Sequence, residues 1–259
     1  MATLIRDGIA LAYEDAGSGT PPVVLVHGIA CHRAFMAPQA RFLRARHRVV
    51  AIDLRGHGDS DAPRQRYTIE ALADDVGWIC DQLDLERAVV VGHSLGGLVG
   101  LELAAARPDL IGGAVLIDSV LLAGEGRQDT VAGLVAGLRG PDGDRVLHEY
   151  FRPFFGPHDD PAVCEWILDQ AVRTPAHVTS SIWEEASSSW DDAGALARCR
   201  SPLLYLDAGT ANADLERAVR VNDSLTLGRT VGTGHFSQLI SPEQVNAMLE
   251  RFLAVGLRR

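Results

Sequence analysis

Apolar positions along this chain follow two alternating rhythms. Short unbroken runs, many of them β-branched, recur at Val23–Val26, Arg48–Ile52, Arg87–Val91, Gly113–Ile117, Pro202–Leu206 and Leu225–Val231. Runs of that length without polar alternation read as strands covered on both faces. Between them the spacing changes to the helical period. Leu72, Val76, Ile79 and Leu83 share one face of a helix over Thr68–Leu83, and Leu98 to Ala106 form another that Pro108 closes. The opening Thr3–Arg6, Asp7-Gly8 and Ile9–Tyr13 predict a hairpin. Ser241-Pro242-Glu243-Gln244 predicts a capping box that starts a closing helix, with Val245, Met248, Leu249, Phe252 and Leu253 inward.

From about Val120 to Arg200 the alternation stops, and Gly- and Pro-rich turns, short helical patterns and many of the aromatics take over. The pattern therefore predicts an α/β fold, a doubly wound and mostly parallel sheet, with a helical cap inserted. Its parts are a first core segment at 1–119, the cap at 120–200 and a second core segment at 201–259. Ligands of such sheets bind beyond the carboxyl ends of the strands. His27-Gly28, Asp53, Ser94 and Asp118 all fall just past strand ends, so they are expected to converge on one face.

Composition narrows the partners. A chain of 259 residues with a formal charge of −10 is unsuited to nucleic acid or anionic membranes. No apolar stretch approaches about 18 residues and MATLIRDG lacks a signal-peptide layout, so a cytoplasmic monomer or homodimer is expected. The four cysteines are scattered and no histidines form an H-x-x-x-H pair, so neither metal nor cofactor is indicated.

The most informative local motif is Gly92-His93-Ser94-Leu95-Gly96, extended by Gly97, between a strand and a helix. A serine in so tight a turn needs positive φ and glycines two residues either side, as in the G-x-S-x-G elbow that lifts a nucleophile above the sheet. A serine hydroxyl needs a base to take its proton, and in this layout the base comes late in the chain. Gly232-Thr233-Gly234-His235-Phe236 follows the last strand, making His235 the candidate. His93 points away across the turn, and His57 sits on an early loop shaping the pocket wall. Attack on a carbonyl also needs two aimed donors; the Leu95 N–H and the Ile29 N–H after His27-Gly28 are expected to supply them.

These motifs, with Asp53-Leu54-Arg55-Gly56-His57-Gly58-Asp59-Ser60, give the chain an almost end-to-end resemblance to the α/β-hydrolase fold with an inserted cap. The resemblance implies Ser94 as nucleophile, His235 as base, and the Leu95 and Ile29 amides as oxyanion hole. A serine at the elbow separates the chain from the dehalogenase and epoxide hydrolase branches, which use a carboxylate there. The acid of the family usually lies in a Gly-x-x-Asp turn after the strand that follows the cap. Here that turn reads Gly209-Thr210-Ala211-Asn212, and Asn212 carries no charge. Asp118 is the expected substitute, as in some family members, with Asp214 the alternative and Asp207 a third choice.

The cap aromatics suggest an apolar acyl or ring-bearing substrate. Gly28, His93, Leu121 and Phe236 are expected to contact it from the core, and Phe154, Phe155 and Trp183 from the cap. The expected activity is hydrolysis of a carboxylic ester or lactone through an acyl-enzyme. Carbon–carbon bond hydrolysis or perhydrolysis would use the same residues. A hydrolase-like ligand sensor and a catalytically dead scaffold are the rivals from other classes.

Overall fold

The apolar runs pair into an eight-stranded sheet in the computed structural model, which describes residues 1–122 and 127–258. In chain order its first part comprises β1 (Ala2–Arg6), β2 (Ile9–Ala16), β3 (Val23–Val26), α1 (Ala37–Leu43), β4 (Val49–Ile52), α2 (Ile69–Gln82), β5 (Ala88–His93), α3 (Leu95–Ala106) and β6 (Ile111–Ile117). Helices α4 (Arg127–Leu138), α5 (Gly143–Phe151), α6 (Pro161–Ala171), α7 (Ala176–Ser188) and α8 (Asp192–Arg198) follow. The chain then returns through β7 (Leu203–Asp207), α9 (Leu215–Val221), β8 (Leu225–Arg229), α10 (Ser237–Ile240) and α11 (Pro242–Val255).

Strand order is β1-β2-β4-β3-β5-β6-β7-β8, antiparallel at β1–β2 and β2–β4 and parallel elsewhere. This is the doubly wound, mostly parallel sheet that the apolar runs imply. Successive side chains of a strand point to opposite faces. Val24, Val26, Val90 and Leu116 accordingly join α2 and α3 in one core cluster, while Val23, Leu25, Val91 and Ile117 join Val245, Leu249 and Phe252 of α11 in another. Both faces are covered, which is why these strands carry no polar alternation.

Two local expectations need correction. The closing helix begins at Pro242, but Ser241 makes no cap bond; its hydroxyl instead donates to Glu243 (2.5 Å) and accepts from Gln244 (2.8 Å). Gln244 is in turn drawn to the backbone of Val231, so the box is spent on fixing the preceding loop. Within 120–200, α8 packs on α3, and its Ala195 and Leu196 belong to the sheet's core cluster. Helices α4 to α6 and Trp183 of α7 form a separate cluster with Ala30, Phe35 and Phe236, residues of loops past the strand ends, while Val178 and Ile182 of α7 join the sheet's core cluster. Residues 123–126 of the expected insertion lie outside the described residues. Among the described residues no helix is long and apolar enough to cross a membrane.

Candidate active site

Strand β5 runs two residues further than its valines suggest, so Ser94 follows it directly and α3 begins at Leu95. Ser94 has φ 52° and ψ −115°, a backbone state that side chains rarely adopt. Surrounding contacts hold it there. Its N–H donates to the Ile117 carbonyl (2.9 Å) and its own carbonyl accepts from the Ser119 hydroxyl (2.8 Å). A Cβ at Gly92 would overlap the Gly96 carbonyl, and one at Gly96 would overlap the Val26 carbonyl. The glycine spacing thus lets α3 approach both the strand that precedes it and the end of β3.

Asp118 ends β6 in a second strained state, φ 48°, its N–H tied to the Leu206 carbonyl (2.8 Å). Its carboxylate is fully buried. Oδ1 accepts the Ala208 N–H (3.0 Å); Oδ2 accepts from Thr210 Oγ1 (2.7 Å), Asn212 Nδ2 (3.0 Å) and His235 Nδ1 (2.7 Å). Burial by itself would raise this carboxyl, but the His235 contact and the Thr210 and Ala208 donors outweigh it and hold it below the ordinary carboxylate value. An ionised carboxylate only accepts, so Nδ1 of His235 carries a proton, and in the neutral ring Nε2 is the acceptor. The ring is held between Phe154, Phe236 and His93, with centroids 5.0, 5.2 and 4.6 Å away.

The other acids have different occupations. Asp214 is exposed and caps α9 through the Arg217 N–H (2.9 Å). Asp207 pairs with Arg229 (2.6 Å) and accepts the Gly209 N–H (2.7 Å).

Ser94, His235, Ile29 and Leu95 border one cavity of about 600 Å³. The Ile29 and Leu95 N–H groups have no acceptor among the described residues, so both remain available beside Ser94. Gly28, His93, Phe154, Trp183 and Phe236 also line the cavity. Leu121 and Phe155 do not. Leu121 is fully buried in the core cluster, and Phe155 stacks behind Phe236 (5.8 Å). Val131, Leu134, Tyr150, Phe151 and Ile182 take up the wall instead, from α4, α5 and α7.

Two histidines brace the loop that carries Ile29. His27 Nδ1–H donates to the Gly28 carbonyl (2.7 Å) while Nε2 accepts the Leu54 N–H (3.0 Å). His57 Nδ1–H donates to the Arg55 carbonyl (3.1 Å) while Nε2 accepts the Ala30 N–H (3.3 Å). Both rings are buried, and burial pushes each imidazolium pKa down to about 3. Between that value and the unfolded value of about 6.5, only the unfolded chain binds these two protons. Their contribution to stability is complete above about pH 6.5 and is lost as pH falls, about 4 kcal/mol between pH 7.5 and 5. Urea midpoints at those two pH values measure this; equal midpoints would contradict it.

A family model described as alpha/beta hydrolase fold matches residues 21–160. Over the whole chain the structure resembles the enol-lactonase from Burkholderia xenovorans LB400, with 25% identity, TM-score 0.87, and 98% of this chain and 100% of that one covered. It also resembles a thermophilic esterase from Thermogutta terrifontis, with 25% identity, TM-score 0.86, and 97% and 96% covered. Among curated relatives, human epoxide hydrolase 4 is 35% identical over 118 residues, 44% of this chain and 33% of that protein. The chain spans only about a third of the length of the first such relatives, 33% at 38% identity.

Proposed function

Because the chain belongs to the α/β-hydrolase fold family, we propose that it is a serine hydrolase cleaving a carboxylic ester or lactone of a neutral, apolar small molecule. Hydrolysis is the activity that the family and its esterase, lactonase and epoxide hydrolase neighbours support. The observation that carries the finer reading is the 2.7 Å contact between Asp118 Oδ2 and His235 Nδ1, with Ser94 on the wall of the same cavity. A serine at the elbow weighs against the carboxylate-ester chemistry of an epoxide hydrolase.

The chemistry then runs in two halves. Ser94 Oγ attacks the carbonyl carbon as His235 Nε2 takes its proton, and Asp118 stabilises the imidazolium. The oxyanion is met by the Leu95 and Ile29 N–H groups, worth several kcal/mol in the transition state. The imidazolium gives its proton to the leaving alkoxide, which departs and leaves an ester on Ser94. Water, deprotonated by the same Nε2, attacks that ester; the bond to Ser94 Oγ breaks, the imidazolium returns its proton to Oγ, and the acid is released.

Substrate charge follows from the walls. The cavity lining among the described residues contains no arginine, aspartate or glutamate. An anionic group bound away from the Leu95 and Ile29 amides would lose its water and meet no cationic side chain, a cost of several kcal/mol. Neutral aryl and alkyl esters should therefore exceed matched carboxylate-bearing esters by at least about 100-fold in kcat/KM. Equal rates would contradict the neutral-substrate reading. A pH-stat survey of short-chain esters, aryl esters and medium and large lactones, with Ser94→Ala as blank, tests the function itself. Serine-dependent turnover on one class supports it; none on any class, by folded protein, refutes it.

A further inference from the structure

The turn after β7 carries a side chain that the chemistry above does not use. Asn212 Nδ2 donates to Asp118 Oδ2 at 3.0 Å and lies 3.3 Å from His235 Nδ1. The Asp118 oxygen only accepts, so the amide must present its NH₂ there, which fixes its orientation chemically. The turn is itself held in place. The Leu121 N–H donates to the Asn212 carbonyl (3.2 Å), the Asp214 N–H donates to the Leu121 carbonyl (3.1 Å), and Leu121 and Ala213 form a parallel bridge. Ala211 is in the left-handed region, φ 58°, and directs the next side chain into the cavity wall.

We propose that Asn212 is a positioning residue for the Asp118–His235 pair. It clamps the carboxylate oxygen that His235 uses, while adding no charge beside the imidazole. The proposal rests on the reading of His235 as base and Ser94 as nucleophile. An amide suits this place for two reasons. A carboxylate would sit about 3 Å from Asp118, and like charges that close cannot both ionise. An apolar side chain would remove a donor from Oδ2 and free the carboxylate to turn. The titratable groups facing His235 are few: Asp118 from the end of β6, His93 from β5, and Asp159, whose carboxylate accepts the Gly234 N–H at 3.3 Å.

Three variants test it, on a substrate whose turnover Ser94→Ala abolishes. Asn212→Ala should lower kcat at little change in KM and move the acid limb of the kcat/KM profile to higher pH, because a positive dipole end leaves the imidazole. Asn212→Asp should also lower kcat, because one of the two carboxylates then holds a proton, and should move that limb in the same direction as Asn212→Ala, since the amide donor is lost. In the double variant Asp118→Asn/Asn212→Asp the new carboxylate stands within reach of His235 Nδ1. It should recover at least tenfold over Asp118→Asn alone. The downfield proton resonance of His235 Nδ1–H, read in each folded variant, should shift with the acid limb and needs no turnover. Acid limbs and resonances matching wild type, or a double variant no faster than Asp118→Asn, would overturn the role of Asn212 and leave the reading of Ser94 standing. Turnover surviving Ser94→Ala would instead remove that reading, and this proposal with it.

Discussion

Ser94→Ala should lower kcat/KM by at least about 10⁴-fold while leaving unfolding midpoints nearly unchanged. The size follows from what the substitution removes. Alanine keeps the Cβ and so keeps the contacts that hold φ at 52°. The Ser94 hydroxyl has no hydrogen-bond partner among the described residues, so its loss orphans no buried group. Only the proposed nucleophile disappears. Binding and the two free amides would still favour attack by water, which is why a residual rate above background is expected. Stopped activity with a preserved midpoint separates chemistry from folding; a tenfold loss or less would mean that Ser94 is not the nucleophile.

Asp118→Asn should cost about 10⁴-fold in turnover, because an amide in that place no longer holds the imidazole in its Nδ1–H tautomer. The environment of Asp118 makes the loss structural as well. Donors from Ala208, Thr210, Asn212 and His235 all converge on the carboxylate, and an amide NH₂ would face at least one of them. A stability loss of about 1–3 kcal/mol is expected with it. Asp214→Asn is the informative control. Asn is as good an N-cap as Asp, so α9 should keep its Arg217 N–H bond and activity should stay within about twofold of wild type. Reversed outcomes would reassign the acid to Asp214.

What could be read in the chain depended on whether the determining contacts are local. The strand and helix rhythm is local, and the sheet follows it closely. The Ser94 turn is local too, because Gly92 and Gly96 are required by approaches that the strand–turn–helix itself creates. His235 could be singled out by its glycine-flanked loop beyond the last strand. The acid could not be settled in the same way. Asp118 and His235 are 117 positions apart, and Asp118, Asp207 and Asp214 all compete for the place. What separates them is their partners: Arg229 holds Asp207 and the α9 terminus takes Asp214, while Asp118 is bound by neutral donors and His235.

The cavity wall was the least legible part. Phe154 and Phe155 are adjacent in sequence, yet one lines the cavity and the other packs behind Phe236. Tyr150 and Phe151 lie one turn earlier and both reach the wall. In short helices whose neighbours are other short helices, periodicity indicates which residues are apolar but not which partner they meet. Asn212 was visible only as a missing charge; its donation to Asp118 depends on the strained turn and the Leu121–Ala213 bridge.

If Ser94 is activated by His235 as proposed, it forms a covalent acyl intermediate. Treating the folded protein with a fluorophosphonate and mapping the adduct by mass spectrometry tests this without knowledge of the substrate. One adduct is expected, on the peptide containing Ser94, absent in Ser94→Ala and at least about 100-fold slower to form in His235→Ala. An unlabelled Ser94, or labelling that proceeds unchanged without His235, would contradict it.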